Sequence, residues 1–93
     1  MAKALQPAEL EKELKELKGW SVEGEKLTKQ FSFADFREAM AFMVRVAFEA
    51  EEQAHHPEFF NVYKDVRIQL ATHDAGGKIT SKDIALAKRI DAI

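Results

Sequence analysis

The stretch DFREAMAFMVRVAFEAEEQAHHP, residues 35–57, predicts one long helix with a defined beginning and end. Asp35 can cap the first turn, because its carboxylate accepts hydrogen bonds from free backbone amides and suits the positive end of the helix dipole. Pro57 disfavours the helical conformation in the residue before it, so we expect the helix to end at about Ala54. The two adjacent histidines of this stretch therefore lie at a helix exit.

Apolar residues cover more of this helix than one packing contact requires. At about 100° per residue they form one stripe with apolar flanks on both sides. The stripe consists of Phe36, Met40, Met43, Ala47, Ala50 and Ala54, with Phe42 and Val46 on one side and Val44 and Phe48 on the other. We expect the stripe to pack in the core. The apolar residues beyond it, such as Phe42 and Phe48, predict a helix-mediated contact between subunits. Glu51 projects from the apolar side one turn before the histidines, where a carboxylate needs a partner.

Before the long helix, the sequence predicts a first helix and a hairpin. Pro7 suits a first helical turn and Gly19 is a typical stop. The leucines between them at helical spacing are Leu10, Leu14 and Leu17. The segment WSVEGEKLTKQFSF, residues 20–33, then alternates like a hairpin with Gly24 in its turn. Lys29 interrupts the apolar side of the second strand, which favours an edge position in the sheet.

After the histidines, the segment FFNVYKDVRIQLATH, residues 59–73, predicts a second hairpin of β-branched and aromatic residues. We expect its turn near Lys64 and Asp65. The apolar residues of the second strand alternate onto one face, so His73 points away from them.

A capping box opens the last helix. In TSKD, residues 80–83, Thr80 can cap the helix while Asp83 reaches back to the capping residue. The order α-β-β-α-β-β-α with two hairpins predicts an α+β fold of two layers, in which a four-stranded antiparallel sheet carries three helices on one face. We expect a single domain over residues 1–93.

The composition excludes several classes of function. The 93 residues make a core near the lower size limit for folding alone, so burial shared between subunits is expected. Without cysteine there are no disulfides, thiolate metal sites or cysteine nucleophiles. The 14 basic and 16 acidic residues form no basic run, so we expect no direct nucleic-acid binding. No apolar run reaches the roughly 18 residues of a membrane span, and no signal-peptide core is visible, so a cytoplasmic protein without membrane contact is expected.

The three histidines of the chain all lie at predicted element ends, where a rigid scaffold commonly presents functional side chains. At neutral pH one imidazole can donate a proton while another accepts one, so these residues favour proton transfer. Three imidazoles could also bind zinc and leave a fourth position for water, but adjacent histidines in an extended chain project in different directions. A third interpretation is that the histidines are ordinary loop residues of a small structural protein.

An ordered set of residues resembles the signature of the pterin-4a-carbinolamine dehydratases. The set comprises Glu51, His55, His56, Pro57, Tyr63, His73 and Asp83. The resemblance extends forward through THDAGGKITSKDIALAKRID, residues 72–91, and back to Trp20, so it covers nearly the whole chain. It implies dehydration of a 4a-hydroxytetrahydropterin to the quinonoid dihydropterin and water, with no metal or organic cofactor.

The resemblance also implies roles for the matched residues. His55 and His73 would be the catalytic acid/base pair, and His56 would bind and orient the pterin. Which member of the pair acts on the hydroxyl oxygen stays open. The other substrate-binding residues would be Glu51, which orients the adjacent imidazole, Trp20, which walls the pocket, Pro57, and Asp83, which serves the loop after His73.

Two positions depart from the family pattern. Ala54 stands where relatives often carry an acidic residue, so we expect the protonation of the neighbouring histidines to be tuned differently. The segment between Gly76 and Asp83 is longer than the commonest family spacing. Because the family forms dimers and dimers of dimers, a homodimer or homotetramer is expected. Some animal members assist dimerisation of a homeodomain transcription factor, so the alternative function is a non-catalytic dimerisation or regulatory binding protein of the same fold.

Overall fold

Four antiparallel strands and three helices make up the fold in the computed structural model, which describes residues 3–93. The helices are α1 (Pro7–Leu14), α2 (Phe36–Glu52) and α3 (Ser81–Asp91). The strands are β1 (Ser21–Glu23), β2 (Lys26–Ser32), β3 (Glu58–Val62) and β4 (Asp65–Leu70), and a short 3₁₀ helix spans His73–Ala75. The predicted order of elements and the α+β fold class are therefore confirmed.

The hydrophobic core lies between the helices and one face of the sheet. In β4 every second residue is fully buried, namely Val66, Ile68 and Leu70. Leu70 pairs with Leu27 of β2, which is also fully buried. Apolar side chains of all three helices pack against the same cluster. The core therefore covers one sheet face and leaves the polar residues between these positions on the other.

Strand β2 lies inside the sheet, so the edge position predicted from Lys29 is wrong. The strand order is β1-β2-β4-β3, which gives β2 a neighbour on each side. Lys29 is tolerated there because its ammonium group contacts the Asp91 carboxylate at 2.9 Å and lies 4.9 Å from the centre of the Phe31 ring. A compensated charge at the margin of a core does not require an edge strand.

Helix α2 faces the core with a different stripe from the predicted one. Its buried residues are Ala39, Phe42, Val46 and Ala50. Of the predicted stripe, Ala50 is buried and Met43 packs partly against the core, but Phe36 and Met40 are exposed. The helix is rotated because the Phe42 ring packs against Phe31 of β2 and Phe33 just after it, with its ring centre 4.7 and 4.8 Å from theirs.

The exit of α2 sets the direction of both neighbouring histidines. Asp35 caps the start as predicted, since its side chain accepts a hydrogen bond from the Glu38 amide. At the other end, Ala54 adopts the left-handed conformation with φ 51°, and the His55 amide donates back to the Ala50 carbonyl at 3.0 Å. This closes the helix in a Schellman-like turn and redirects the chain within one residue.

The remaining turns agree closely with the predictions. Gly24 lies in the first hairpin turn, between paired Glu23 and Lys26. The second hairpin turns at Tyr63 and Lys64, one residue earlier than predicted, because Val62 pairs with Asp65.

The predicted capping box of α3 is also present. The Thr80 hydroxyl accepts from the Lys82 amide, and the Asp83 carboxylate accepts from the Thr80 amide at 2.8 Å. No helix within residues 3–93 combines the length and apolar character that crossing a membrane requires.

Candidate active site

Two of the three histidines, His56 and His73, line the same cleft of about 340 Å³. Its other lining residues are Lys26, Glu58, Ala71 and Gly77. Lys26 begins β2, Glu58 begins β3, and Ala71 follows β4, which runs between these two strands. The cleft therefore lies at the end of the sheet where β4 leaves for the loop of His73.

An ion pair crosses this end of the sheet. The Lys26 ammonium group lies 2.6 Å from a carboxylate oxygen of Glu58, with both side chains partly exposed. The cleft thus presents a hydrogen-bond donor and an acceptor side by side, next to two imidazoles.

His56 is exposed and bonded to one carboxylate. Its Nε2 lies 2.8 Å from Glu51 Oε1, and the two side chains are 69% and 78% exposed. This contact gives Glu51 the partner that its position on α2 requires. A carboxylate that accepts from one ring nitrogen fixes the orientation of the imidazole and leaves the other nitrogen free.

His55 has the opposite environment. Its side chain is 10% exposed, and its Nε2 lies 2.5 Å from Oδ1 of Asp83, which is fully buried. His55 is not among the residues that line the cleft. The structure therefore separates the adjacent histidines into one ring held inside the protein and one ring presented to solvent.

The second carboxylate oxygen of Asp83 is hydrogen-bonded as well. Oδ2 accepts hydrogen bonds from the Thr72 hydroxyl and from the Thr80 amide, each at 2.8 Å. Thr72 directly precedes His73, so the buried carboxylate contacts one histidine and the neighbour of another. This is the link between Asp83 and the His73 loop.

Trp20, which was expected to wall the pocket, is not among the residues that line the histidine cleft. It is buried, its indole N–H donates to Asp91 Oδ2 at 2.9 Å, and its ring packs edge-on against Phe31. Pro57 is partly buried between His56 and Glu58, whose side chains line the cleft, but it does not line the cleft itself.

Several residues of the cleft were missed by the sequence analysis. Glu58 had a usable signal, because it follows the His56-Pro57 pair directly. Lys26 and Ala71 had none, since only the strand order brings β2 beside β4. Among the described residues, no three histidine, aspartate or glutamate side chains are placed to hold a metal ion together. The arrangement suits proton transfer to and from a bound molecule.

Comparison with known proteins agrees with this chemistry. The family model for Pterin 4 alpha carbinolamine dehydratase matches residues 3–93. A protein of Opitutus terrae, provisionally named pterin-4-alpha-carbinolamine dehydratase, is 55% identical over 93 residues, covering 100% of this chain and 96% of its own. A protein of Solibacter usitatus with the same provisional name is 46% identical, covering 100% and 97%.

Two solved structures share the fold. The transcriptional coactivator/pterin dehydratase from Brucella melitensis superimposes with a TM-score of 0.91 at 38% identity, over 97% of each chain. A pterin dehydratase-like protein identified as a RuBisCO assembly factor in the α-carboxysome superimposes with a TM-score of 0.66 at 28% identity, over 80% of this chain and 87% of its own. On the family match and these relatives, the chain belongs to the pterin 4 alpha carbinolamine dehydratase family.

Proposed function

We propose that this protein dehydrates 4a-hydroxytetrahydropterins to quinonoid dihydropterin and water by histidine general acid/base catalysis, in tetrahydrobiopterin recycling. The observation that carries the proposal is the cleft that His56 and His73 both line, in a chain of this family. Its volume of about 340 Å³ falls within the range of about 300–1,000 Å³ that is usual for small-molecule sites.

The reaction needs one proton given and one proton taken. The C4a–O bond breaks as an acid protonates the hydroxyl, which leaves as water. A base removes the proton from N5, and the electron pair of that N–H bond forms the C4a=N5 double bond. No electrons are gained or lost overall, so two imidazoles can supply the whole catalytic requirement.

The ion pair of the cleft matches the edge of a pterin ring. That edge presents a 2-amino group and N3–H as donors beside a 4-oxo acceptor. Glu58 offers carboxylate oxygens to the donors, and Lys26 offers N–H groups to the oxo group. The pair thereby favours binding of the 2-amino-4-oxo ring system in the cleft.

We assign the roles of the histidines as the resemblance to the family implies. His55 and His73 are the acid/base pair, and His56 binds and orients the pterin with Glu51 fixing its ring. Asp83 orients His55. Pro57 shapes the chain between His56 and Glu58, and Trp20 supports the sheet from the core.

Stopped-flow absorbance of 4a-hydroxytetrahydropterin decay tests the function. Wild-type protein should accelerate the decay, and His55→Ala or His73→Ala should each remove about 10²-fold or more of that acceleration. Glu52→Gln, in the last turn of α2 but outside the cleft, is the matched control. Decay no faster than in buffer, from protein shown to be folded, would overturn the enzymatic function.

A non-catalytic binding role is the second candidate, because α2 carries an exposed apolar face. The face consists of Phe36, Met40, Val44 and Phe48, at helical spacing. Phe48 is 73% exposed, and so large an apolar surface usually marks an interaction site. We propose that this face joins copies of the chain into a homodimer or homotetramer. Sedimentation of wild type and Phe48→Ser tests this, and a monomeric wild type would exclude it.

A further inference from the structure

Two buried threonine hydroxyls extend the hydrogen-bonded network of the His55–Asp83 pair. Thr72 and Thr80 are 1% and 0% exposed. Their hydroxyl oxygens lie 2.6 Å apart, and the Thr72 hydroxyl lies 2.8 Å from Asp83 Oδ2. The distances connect Thr80, Thr72, Asp83 and His55 in one continuous buried chain. A buried polar chain of this kind is stable only when every member has its partner.

With Asp83 ionised, the protons of this chain have one consistent arrangement. An ionised Asp83 has no proton to donate, so the Thr72 hydroxyl must donate to it. That uses the single proton of Thr72, whose oxygen must then accept from the Thr80 hydroxyl. The Thr80 oxygen in turn accepts from the Lys82 amide at 3.2 Å. Each hydroxyl donates once and accepts once, without conflict.

The hydrogen bonds of Asp83 also determine the tautomer of His55. Two donors occupy Asp83 Oδ2, the Thr72 hydroxyl and the Thr80 amide, whereas Oδ1 faces His55 Nε2 at 2.5 Å. With Asp83 ionised, Nε2 carries the hydrogen of that contact. In the neutral ring the lone pair then lies on Nδ1, which makes Nδ1 the nitrogen that can take or return a proton.

We infer that Thr72 and Thr80 are positioning residues of the proposed dehydratase, which hold Asp83 so that His55 stays in the Nε2–H tautomer with Nδ1 available for proton transfer. Thr72 also adjoins His73, so its hydroxyl ties the loop of one imidazole to the carboxylate that holds the other. The inference rests on the proposed function for its kinetic consequence, but the tautomer can be observed without substrate.

The variants Thr72→Val and Thr72→Ser separate the hydroxyl from the methyl group. Valine keeps the shape and removes the donor, whereas serine keeps the donor and removes a methyl group. Thr28→Val is the matched control, because Thr28 is also buried in the sheet, at 2% exposure, but its hydroxyl donates to the Lys26 carbonyl. Thermal unfolding of all three shows that each variant is folded under the assay conditions.

The first measurement is ¹⁵N NMR of the histidine rings in the substrate-free protein. Wild type and Thr72→Ser should show His55 as the Nε2–H tautomer, and Thr72→Val should show a mixture of tautomers. An unchanged tautomer in Thr72→Val, or a wild type with hydrogen on Nδ1 alone, would overturn the inference whether or not the protein is a dehydratase.

The second measurement is the pterin dehydration rate between about pH 5 and pH 8, where an unperturbed histidine titrates. Thr72→Val should lower kcat by about 10-fold to 100-fold, because a misplaced reacting group slows the chemical step. KM should stay within about twofold of the wild-type value. It should also change the shape of the pH profile, while Thr72→Ser stays within about threefold of wild type. If Thr72→Ser loses as much activity as Thr72→Val, packing rather than the hydroxyl is responsible and the inference fails.

Discussion

His55 and His56 are neighbours in the chain but belong to different parts of the molecule. His55 is buried and held by Asp83, which is itself bonded to Thr72 and Thr80. His56 is exposed and bonded only to the exposed carboxylate of Glu51 among the contacts of the described residues. The difference arises at the exit of α2, where the left-handed Ala54 turns the chain and Pro57 begins the extended segment that leads into β3.

The comparison shows how one helix exit produces two chemically distinct imidazoles. A ring in a buried network has one orientation and one tautomer, so it suits a step that requires exact alignment. A ring at the surface is open to a molecule in the cleft, so it suits binding. The predictions below test this division of roles.

The largest effect is expected from removing the centre of the buried network. Asp83→Ala leaves the His55 ring and the Thr72 hydroxyl without their acceptor, so the free energy of unfolding should fall by about 3–5 kcal/mol. Urea denaturation of Asp83→Ala and of the exposed control Asp74→Ala measures the difference. A loss no larger than that of the control would show that the network does not stabilise the fold.

The second prediction separates the two histidines kinetically. His55→Ala should lower kcat by about 10²-fold or more, because it removes the group proposed to transfer a proton in the transition state. His56→Ala should mainly raise KM, because it removes binding common to the ground and transition states. Steady-state kinetics on both variants decides the assignment. The reverse pattern would transfer the acid/base role to His56.

A smaller effect is expected from the exposed ion pair. Glu51→Gln should raise KM up to about fivefold, since an exposed pair contributes at most about 1 kcal/mol. The effect should shrink at high salt, which screens exposed charges. Glu52→Gln, the next residue of the same helical turn, should leave KM unchanged. Equal effects of the two variants would indicate a general loss of negative charge and not the contact with His56.

The smallest effect concerns the turn itself. Ala54→Gly should raise the free energy of unfolding by about 0.5–1 kcal/mol, because glycine adopts the left-handed conformation without the cost that alanine bears. Ala41→Gly, at an exposed position inside α2, should lower it by about 1 kcal/mol. Thermal or urea unfolding distinguishes the opposite signs. Destabilisation by both changes would show that Ala54 bears no strain.

Features governed by short-range contacts could be predicted from the sequence. The Asp35 cap, the exit before Pro57 and the Thr80–Asp83 capping box each depend on residues within one or two turns. The order of elements followed from these boundaries. The residues of the capping box also gave the first indication of Asp83, although not of its contact with His55.

Features that depend on distant neighbours could not be predicted. The interior position of β2 and the place of Lys26 in the cleft follow from strand order, which no local pattern records. The rotation of α2 depends on how Phe42 packs against the rings of Phe31 and Phe33. A wide apolar helix permits several rotations, and only the packed partner selects one.

The burial of His55 affects how lost activity should be recognised in relatives of this chain. A lineage that lost the proposed activity would still need a hydrogen-bond donor for the buried Asp83 Oδ1, so selection for folding alone would favour keeping His55. The exposed side chains of His56 and His73 are not needed for folding in this way, so we expect these two positions to be substituted first. In a relative of this chain, the exposed histidines would therefore be more informative about the proposed activity than the buried one.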